Sequence, residues 1–244
     1  MIGAFARGFG VDRALDRWRR EAAEASGGTS CSEIKDLVLQ LVREEGLRGS
    51  VLDFGAGRGE LIGKLVNLGR FTTVTGADIL ERPTGLPGTV NWYRQDLNEE
   101  ISVEGPFDAV ICSEVIEHLE NPRATFRSLY KLLSPGGTLI LTMPNQESIR
   151  SYVGLLFGGH FVHFLDSSYP AHITALLRVD LDRICAETRF TRCRFVYTNV
   201  GGIPKLPWLK WQQVSLGLLR GRLFSDNLAL VARKLQQATD PYET

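Results

Sequence analysis

Residues Val51 to Leu61 read VLDFGAGRGEL: a short apolar run, three glycines at alternate positions, and the opening of an amphipathic stretch. The pattern is a strand, a tight turn and a helix start. Gly55, Gly57 and Gly59 let the main chain turn sharply and let a ligand approach the backbone at a helix N-terminus. A dinucleotide fingerprint would be G-x-G-x-x-G. Here the spacing is G-x-G-x-G, with Glu60 at the sixth position. A carboxylate there competes with a pyrophosphate for the same amides, and Asp53 adds a second negative charge. The Lys-Ser/Thr pair of a P-loop is missing too. The stretch therefore disfavours a phosphate, and with it a nicotinamide-dependent dehydrogenase, and favours a ligand bearing an amine or another cation.

Outward from this turn the chain alternates apolar runs with helical stretches. TTVTGADI, TVNWYRQD, FDAVICS and GTLILTMP read as strands, and ELIGKLVNLG and ATFRSLYKLLS as helices. Apolar runs buried on both faces and separated by helices mean a parallel sheet covered on each side. Upstream, Val11, Leu15, Trp18 and Ala22 recur at helical spacing among arginines. GGTS breaks that helix, and Ser30 with Glu33 predicts a capping box for the next one. Beyond Pro144 the rhythm changes. Residues 146–178 read as irregular and aromatic and hold three of the four histidines. DRICAETRF reads as a helix, and RCRFVYTNV and NLALVARK as strands. One domain spans 1–244, divided into an N-terminal helical lid (1–48), a ligand-binding core (49–145) and substrate-side insertions with the final strands (146–244).

Lys plus Arg equals Asp plus Glu at 28 each, so no global positive field argues for a nucleic-acid partner. No stretch approaches the roughly 18 uninterrupted apolar residues of a membrane span, and the N-terminus lacks a signal-peptide core. Four cysteines without a C-x-x-C pair read as reduced thiols, which points to the cytoplasm.

Asp78, at the end of the second strand, stands where a carboxylate accepts from both hydroxyls of a ribose. Asp96, after the third strand, is placed to accept from an adenine amino group. An adenosine without phosphate but with a charged amino-acid tail satisfies these positions and the glycine loop together. The ordered set VLDFGAGRGEL, GADI, QDL, FDAVICSEVIEHLENP and LLSPGGTLILTMPN resembles the class I S-adenosylmethionine-dependent methyltransferases over about residues 50 to 145. That resemblance implies a Rossmann-like, doubly wound α/β fold with a seven-stranded, mostly parallel sheet whose last strand is antiparallel. It also implies cofactor contacts at Asp53, Gly55, Ala56, Gly57, Asp78, Ile79, Asp96, Leu97 and Ser113.

SEVIEH, Ser113 to His118, places Glu114, Glu117 and His118 at i, i+3 and i+4, one face of a first helical turn at the carboxyl edge of the sheet. Two carboxylates and an imidazole suit Mg2+ or Mn2+. Acidic residues are also ordinary in a first turn, and a histidine there can act as a base without metal. E-x-x-E-H resembles the metal site of ubiquinone-pathway O-methyltransferases and of small-RNA 2′-O-methyltransferases. In the RNA-modifying group a further histidine joins, and His172 is the best positional match, ahead of His163 and His160. The catalytic candidates are thus His118, His172 and Glu114, and the metal candidates Glu114, Glu117, His118 and His172.

An alcohol needs a base or a metal to become a nucleophile at neutral pH, so this set points to oxygen as acceptor. A hydroxyl of a sugar or glycan, as in bacterial surface polysaccharide biosynthesis, is the first expected acceptor, and a quinone-type phenol the alternative. A non-catalytic S-adenosylmethionine-binding module is the rival outside catalysis. Residues 200–225 contain no acidic residue and mix Lys205, Lys210, Arg220 and Arg222 with tryptophans and leucines. Residues 204–224 are a candidate contact for a membrane surface or a lipid-linked substrate. A lid with its tryptophans packed in the core is the simpler reading.

Overall fold

The computed structural model describes residue 15 and residues 17–236; Val11 of the expected first helix lies outside them. A first helix, α1 (17–25), precedes α2 (Ser32–Glu44). Then come β1 (Gly49–Phe54), α3 (Glu60–Asn67), β2 (Phe71–Asp78), β3 (Asn91–Arg94), β4 (Phe107–Ser113), α4 (Pro122–Leu132) and β5 (Leu133–Pro144). The C-terminal part adds α5 (Ile149–Gly158), α6 (Arg178–Glu187), β6 (Phe190–Tyr197), the small hairpin β7 (Gly202–Ile203) and β8 (Leu206–Lys210), α7 (Trp211–Val214) and β9 (Asn227–Lys234). Seven strands form one sheet in the order β3-β2-β1-β4-β5-β9-β6. β9 runs antiparallel to both of its neighbours, and the pairs among β1 to β5 are parallel. This is the Rossmann-like α/β architecture expected from the sequence.

The strand alternation divides the core into two layers. Leu52, Phe54, Val110, Cys112, Leu139, Leu141 and Leu230 face one side, where Phe126 and Leu129 of α4 and Leu181 of α6 pack on them. Val51, Ala109, Ile111, Ile140 and Val231 face the other, under Val38 and Leu41 of α2 and Ile62 and Leu65 of α3. Each strand thus supplies both layers, because successive side chains leave a strand on opposite faces. The chain leaves β1 for one half of the sheet and reaches β4 on the other. That switch opens a crevice at the carboxyl ends of β1 and β4, where open α/β sheets bind ligands.

Four local expectations change. The capping box at Ser30 and Glu33 does not form: Cys31 is the N-cap of α2 and makes no side-chain cap bond. Residues 146–178 are not irregular throughout, since α5 begins on Ser148, whose side chain accepts from the Ser151 amide. Its apolar positions leave no 3.6-residue contrast to read, and only Ser151 of the helix is buried. Hairpin, short helix and turns share residues 200–225, and their tryptophans are not all in the core, for Trp208 is exposed. Finally, SEVIEH lies in a 3-10 turn (Ile116–His118) and not in an α-helix; α4 starts only at Pro122, capped by Asn121. Among the described residues no helix is long and apolar enough to cross a membrane.

Candidate active site

A cavity of about 540 Å3 opens at the β1–β4 crevice. It is lined by every residue the sequence singled out there: Asp53, Gly55, Ala56, Gly57, Asp78, Ile79, Asp96, Leu97, Ser113, Glu114, Glu117, His118 and His172. That volume lies within the ~300–1,000 Å3 of small-molecule sites. His163 also lines it, whereas His160 is not among its walls.

The glycine loop is shaped by the protein itself. Gly55 has φ +86°, and a Cβ on it would lie 2.2 Å from Cγ2 of Val115. Gly57 has φ +51°, and its Cβ would lie 2.2 Å from the carbonyl oxygen of Gly28. The glycines therefore serve close approach between loop, SEVIEH turn and N-terminal segment as well as backbone reversal. The amides of Gly55 and Ala56 donate to the Ala77 carbonyl at 2.8 and 3.1 Å, fixing the loop on β2.

Three aspartates line one side. Asp53 is buried, and its Oδ2 has no hydrogen-bond partner among the described residues. Burial, with a smaller contribution from Asp78, pushes its carboxyl up to about 7. A buried carboxylate without a partner is costly unless a cation or donor arrives, so this atom suits an amine-bearing ligand. Asp78 accepts from the Gly57 amide at 2.7 Å and the Leu80 amide at 2.9 Å, one on each oxygen. Each oxygen keeps a lone pair for a hydroxyl. Asp96 is more committed than the sequence suggested. Its Oδ2 pairs with Arg19 at 3.1 Å, and its Oδ1 accepts from Asn98. Arg19 also bridges Glu99 and Glu120, so α1 is clasped over the cavity by one guanidinium. Trp18 of the same helix lines the wall, as does Leu15. Nothing local in the sequence distinguishes Arg19 from its neighbours Arg17 and Arg20.

On the other side lies the histidine cluster. One ligand atom each of Glu117, His118 and His172 lie within 4.8 Å of one another, and the two rings meet edge-on at 4.9 Å. Tertiary bonds assemble this group. The amides of Ile173 and Thr174 donate to the Glu117 carbonyl at 3.0 and 2.9 Å, tying the later loop to the SEVIEH turn. His118 Nδ1 bonds to the Ala171 carbonyl at 2.7 Å, and His172 Nδ1 to the His163 carbonyl at 2.6 Å. Both bonds require Nδ1–H, so each neutral ring keeps its Nε2 lone pair. This is how protein imidazoles are oriented as ligands or bases. Burial lowers the His118 pKa to about 4, keeping that ring neutral.

Glu117 is 2% exposed, and neither carboxylate oxygen has a hydrogen-bond partner among the described residues. Burial first, then Glu114, pushes its carboxyl well above the usual range. Orphaned carboxylate oxygens beside two Nε2 lone pairs fit a divalent cation. Glu114 departs from the expected set. It lies outside this three-residue group: its Oε2 accepts from Asn227 at 3.1 Å, while its buried Oε1 has no partner among the described residues. The physical reason is backbone: Glu114 has φ +56°, so the chain turns left-handed there, and the i, i+3, i+4 geometry of a helix does not arise.

The methyltransferase domain family matches residues 18–191. Over 191 residues the chain is 30% identical to the ubiquinone biosynthesis O-methyltransferase of Psychrobacter arcticus, with 70% of each chain covered. Among solved structures it resembles an S-adenosylmethionine-dependent methyltransferase from Archaeoglobus fulgidus, with TM-score 0.55, 21% identity, and 82% of this chain and 94% of that one covered. It also resembles the 1,6-didemethyltoxoflavin-N1-methyltransferase of Burkholderia thailandensis, a structure holding S-adenosylhomocysteine, with TM-score 0.61, 17% identity, and 92% and 90% covered. A buried, unpartnered oxygen of Asp53 suits the amine of that cofactor; the chain belongs to the methyltransferase domain family and is an S-adenosylmethionine-dependent methyltransferase.

Proposed function

We propose that the protein transfers the methyl group of S-adenosylmethionine to a hydroxyl oxygen of a quinone-type phenol, with the acceptor activated beside Glu117, His118 and His172. The observation that carries this is the placement of two Nε2 lone pairs and an unpartnered carboxylate in the same cavity as the acidic cofactor wall. The relative named for ubiquinone biosynthesis favours a phenolic hydroxyl over the sugar hydroxyl that the sequence put first.

In this reading Asp53 faces the cofactor's amine, and Asp78 accepts from its ribose while holding the glycine loop. Gly55, Ala56, Gly57, Ile79, Asp96, Leu97 and Ser113 complete the cofactor's walls. The sulfonium is already a strong electrophile, so the chain must mainly align the acceptor oxygen in line with the methyl–sulfur bond. The new O–C bond forms as the S–C bond breaks, S-adenosylhomocysteine leaves, and the acceptor's proton goes to solvent. Glu117, His118 and His172 would hold a divalent ion such as Mg2+ or Mn2+, which lowers the pKa of a hydroxyl. α1, held by Arg19, keeps water from the crevice. Glu114, bonded to Asn227, is assigned to shaping the turn and not to the metal.

The test uses methyl-labelled S-adenosylmethionine with a panel of catechols and of sugars, with and without EDTA. Label in the phenols that is lost with EDTA and restored by Mg2+ or Mn2+ is expected. Label confined to sugars overturns the acceptor class, and EDTA-resistant transfer overturns the metal. Cofactor binding without transfer to either panel, unchanged by His118→Ala, would point to a non-catalytic binding module.

A further inference from the structure

Residues 204–224 leave several large apolar side chains in water. Leu216 is 93% exposed, Leu218 84% and Trp208 74%. Leu216 sits at φ +51°, in a turn that the amide of Gly217 closes by donating to the Gln212 carbonyl at 2.8 Å. The chain thus holds two leucines outward on an ordered turn. Trp208 stands on the β7–β8 hairpin. α5 packs beside this segment: Arg222 pairs with Glu147 just before α5, and Arg150 of α5 pairs with Asp226 just after the segment. That helix exposes Leu156 and Phe157 as well, at 76% and 79%.

Scattered exposed leucines need no explanation, but a run of them on neighbouring elements does. The charges around them indicate what covers them. Residues 200–225 hold no acidic residue. Lys205 and Arg220 are exposed, and among the described residues neither has an ion-pair partner. The whole chain balances 28 basic against 28 acidic residues, so this cationic, apolar segment is a local departure. Apolar side chains with a cationic surround match an anionic lipid surface, where leucine and tryptophan enter the acyl boundary and lysine and arginine meet the headgroups.

We propose that residues 204–224, with the outer face of α5, dock the enzyme on an anionic lipid bilayer. The docking does not depend on which acceptor is methylated.

The experiment is flotation of the purified full chain with vesicles of phosphatidylcholine alone and of phosphatidylcholine with phosphatidylglycerol. Binding to the anionic vesicles, weakened by salt, is expected. Leu216→Ser/Leu218→Ser should lower the partition by about tenfold or more. Lys205→Glu and Arg220→Glu should each lower it by about fivefold or more. All these side chains are exposed, so melting temperatures should stay at the parent value, and turnover of a water-soluble acceptor should not change. Absence of binding to both vesicles overturns the proposal. So does a dimer in sedimentation that the two serines dissociate, since the face would then belong to a second copy. A chain that floats normally yet methylates no phenol would refute the acceptor reading alone.

Discussion

The rings of His118 and His172 lie 4.9 Å apart, edge to face, and each spends its Nδ1 on a backbone carbonyl of the loop between residues 163 and 171. His118 is thereby oriented by main chain from outside its own turn, and His172 by the loop that leads into it. The pair is a product of the loop's docking on the SEVIEH turn.

Removing either ring should therefore separate chemistry from cofactor binding. His118→Ala and His172→Ala are each expected to lower kcat by about 10²–10⁴-fold while S-adenosylmethionine affinity changes by less than about threefold. Titration calorimetry beside a labelled-methyl assay checks this. A parallel collapse of cofactor affinity would show that the rings belong to the cofactor site.

The glycine loop offers a packing test. Gly55→Ala places a methyl group 2.2 Å from Val115 in a left-handed backbone and should destabilise the fold by about 2–4 kcal/mol. Val115→Ala in the same chain should restore part of that loss, because it relieves the collision but not the backbone strain. Urea denaturation of the three variants measures both contributions.

Asp53 makes cofactor affinity depend on pH. Its carboxyl, raised to about 7 by burial, is largely protonated at pH 6 and ionised at pH 8. A cationic amine binds the ionised form, so affinity should be roughly tenfold weaker at pH 6 than at pH 8, with proton release on binding at the lower pH. The sign for folding is the opposite. The folded pKa lies above the unfolded one, so this group's ionisation removes stability as pH rises from about 4 to about 7. Asp53→Asn should thus gain about 1–3 kcal/mol over the parent at pH 8 without ligand. It should also bind S-adenosylmethionine much more weakly. Equal affinities of the parent at the two pH values would remove Asp53 from the amine site.

Arg19 ties α1 to Asp96, Glu99 and Glu120. Arg19→Ala should raise KM for S-adenosylmethionine by about three- to tenfold and leave the melting temperature almost unchanged, since the ion pairs hold a covering helix and not the sheet. Added salt should move the parent toward the variant. A salt-independent parent would mean that α1 is held by its apolar contacts, with Leu15 and Trp18 as the next residues to replace.

The sheet and the acidic wall were legible in the sequence. Apolar strands that alternate between two core layers have few other ways to be buried. Asp53 and Asp78 stand in the last two residues of β1 and β2, and Asp96 just beyond β3, so their positions were readable from a one-dimensional pattern. Helical spacing also placed Glu114 with Glu117 and His118, and there the pattern misled. A single positive φ at Glu114 turned the chain into a 3-10 turn and sent one oxygen of that carboxylate to Asn227. α5 was hidden because its apolar residues are exposed, which erases the contrast that marks a helix. Arg19 and the docking of His172 on His118 rest on contacts between segments far apart in the chain, and no local spacing encodes them. Tertiary structure alone decided which of the marked side chains meet, because that depends on how loops close over the sheet and on where their backbone hydrogen bonds find partners.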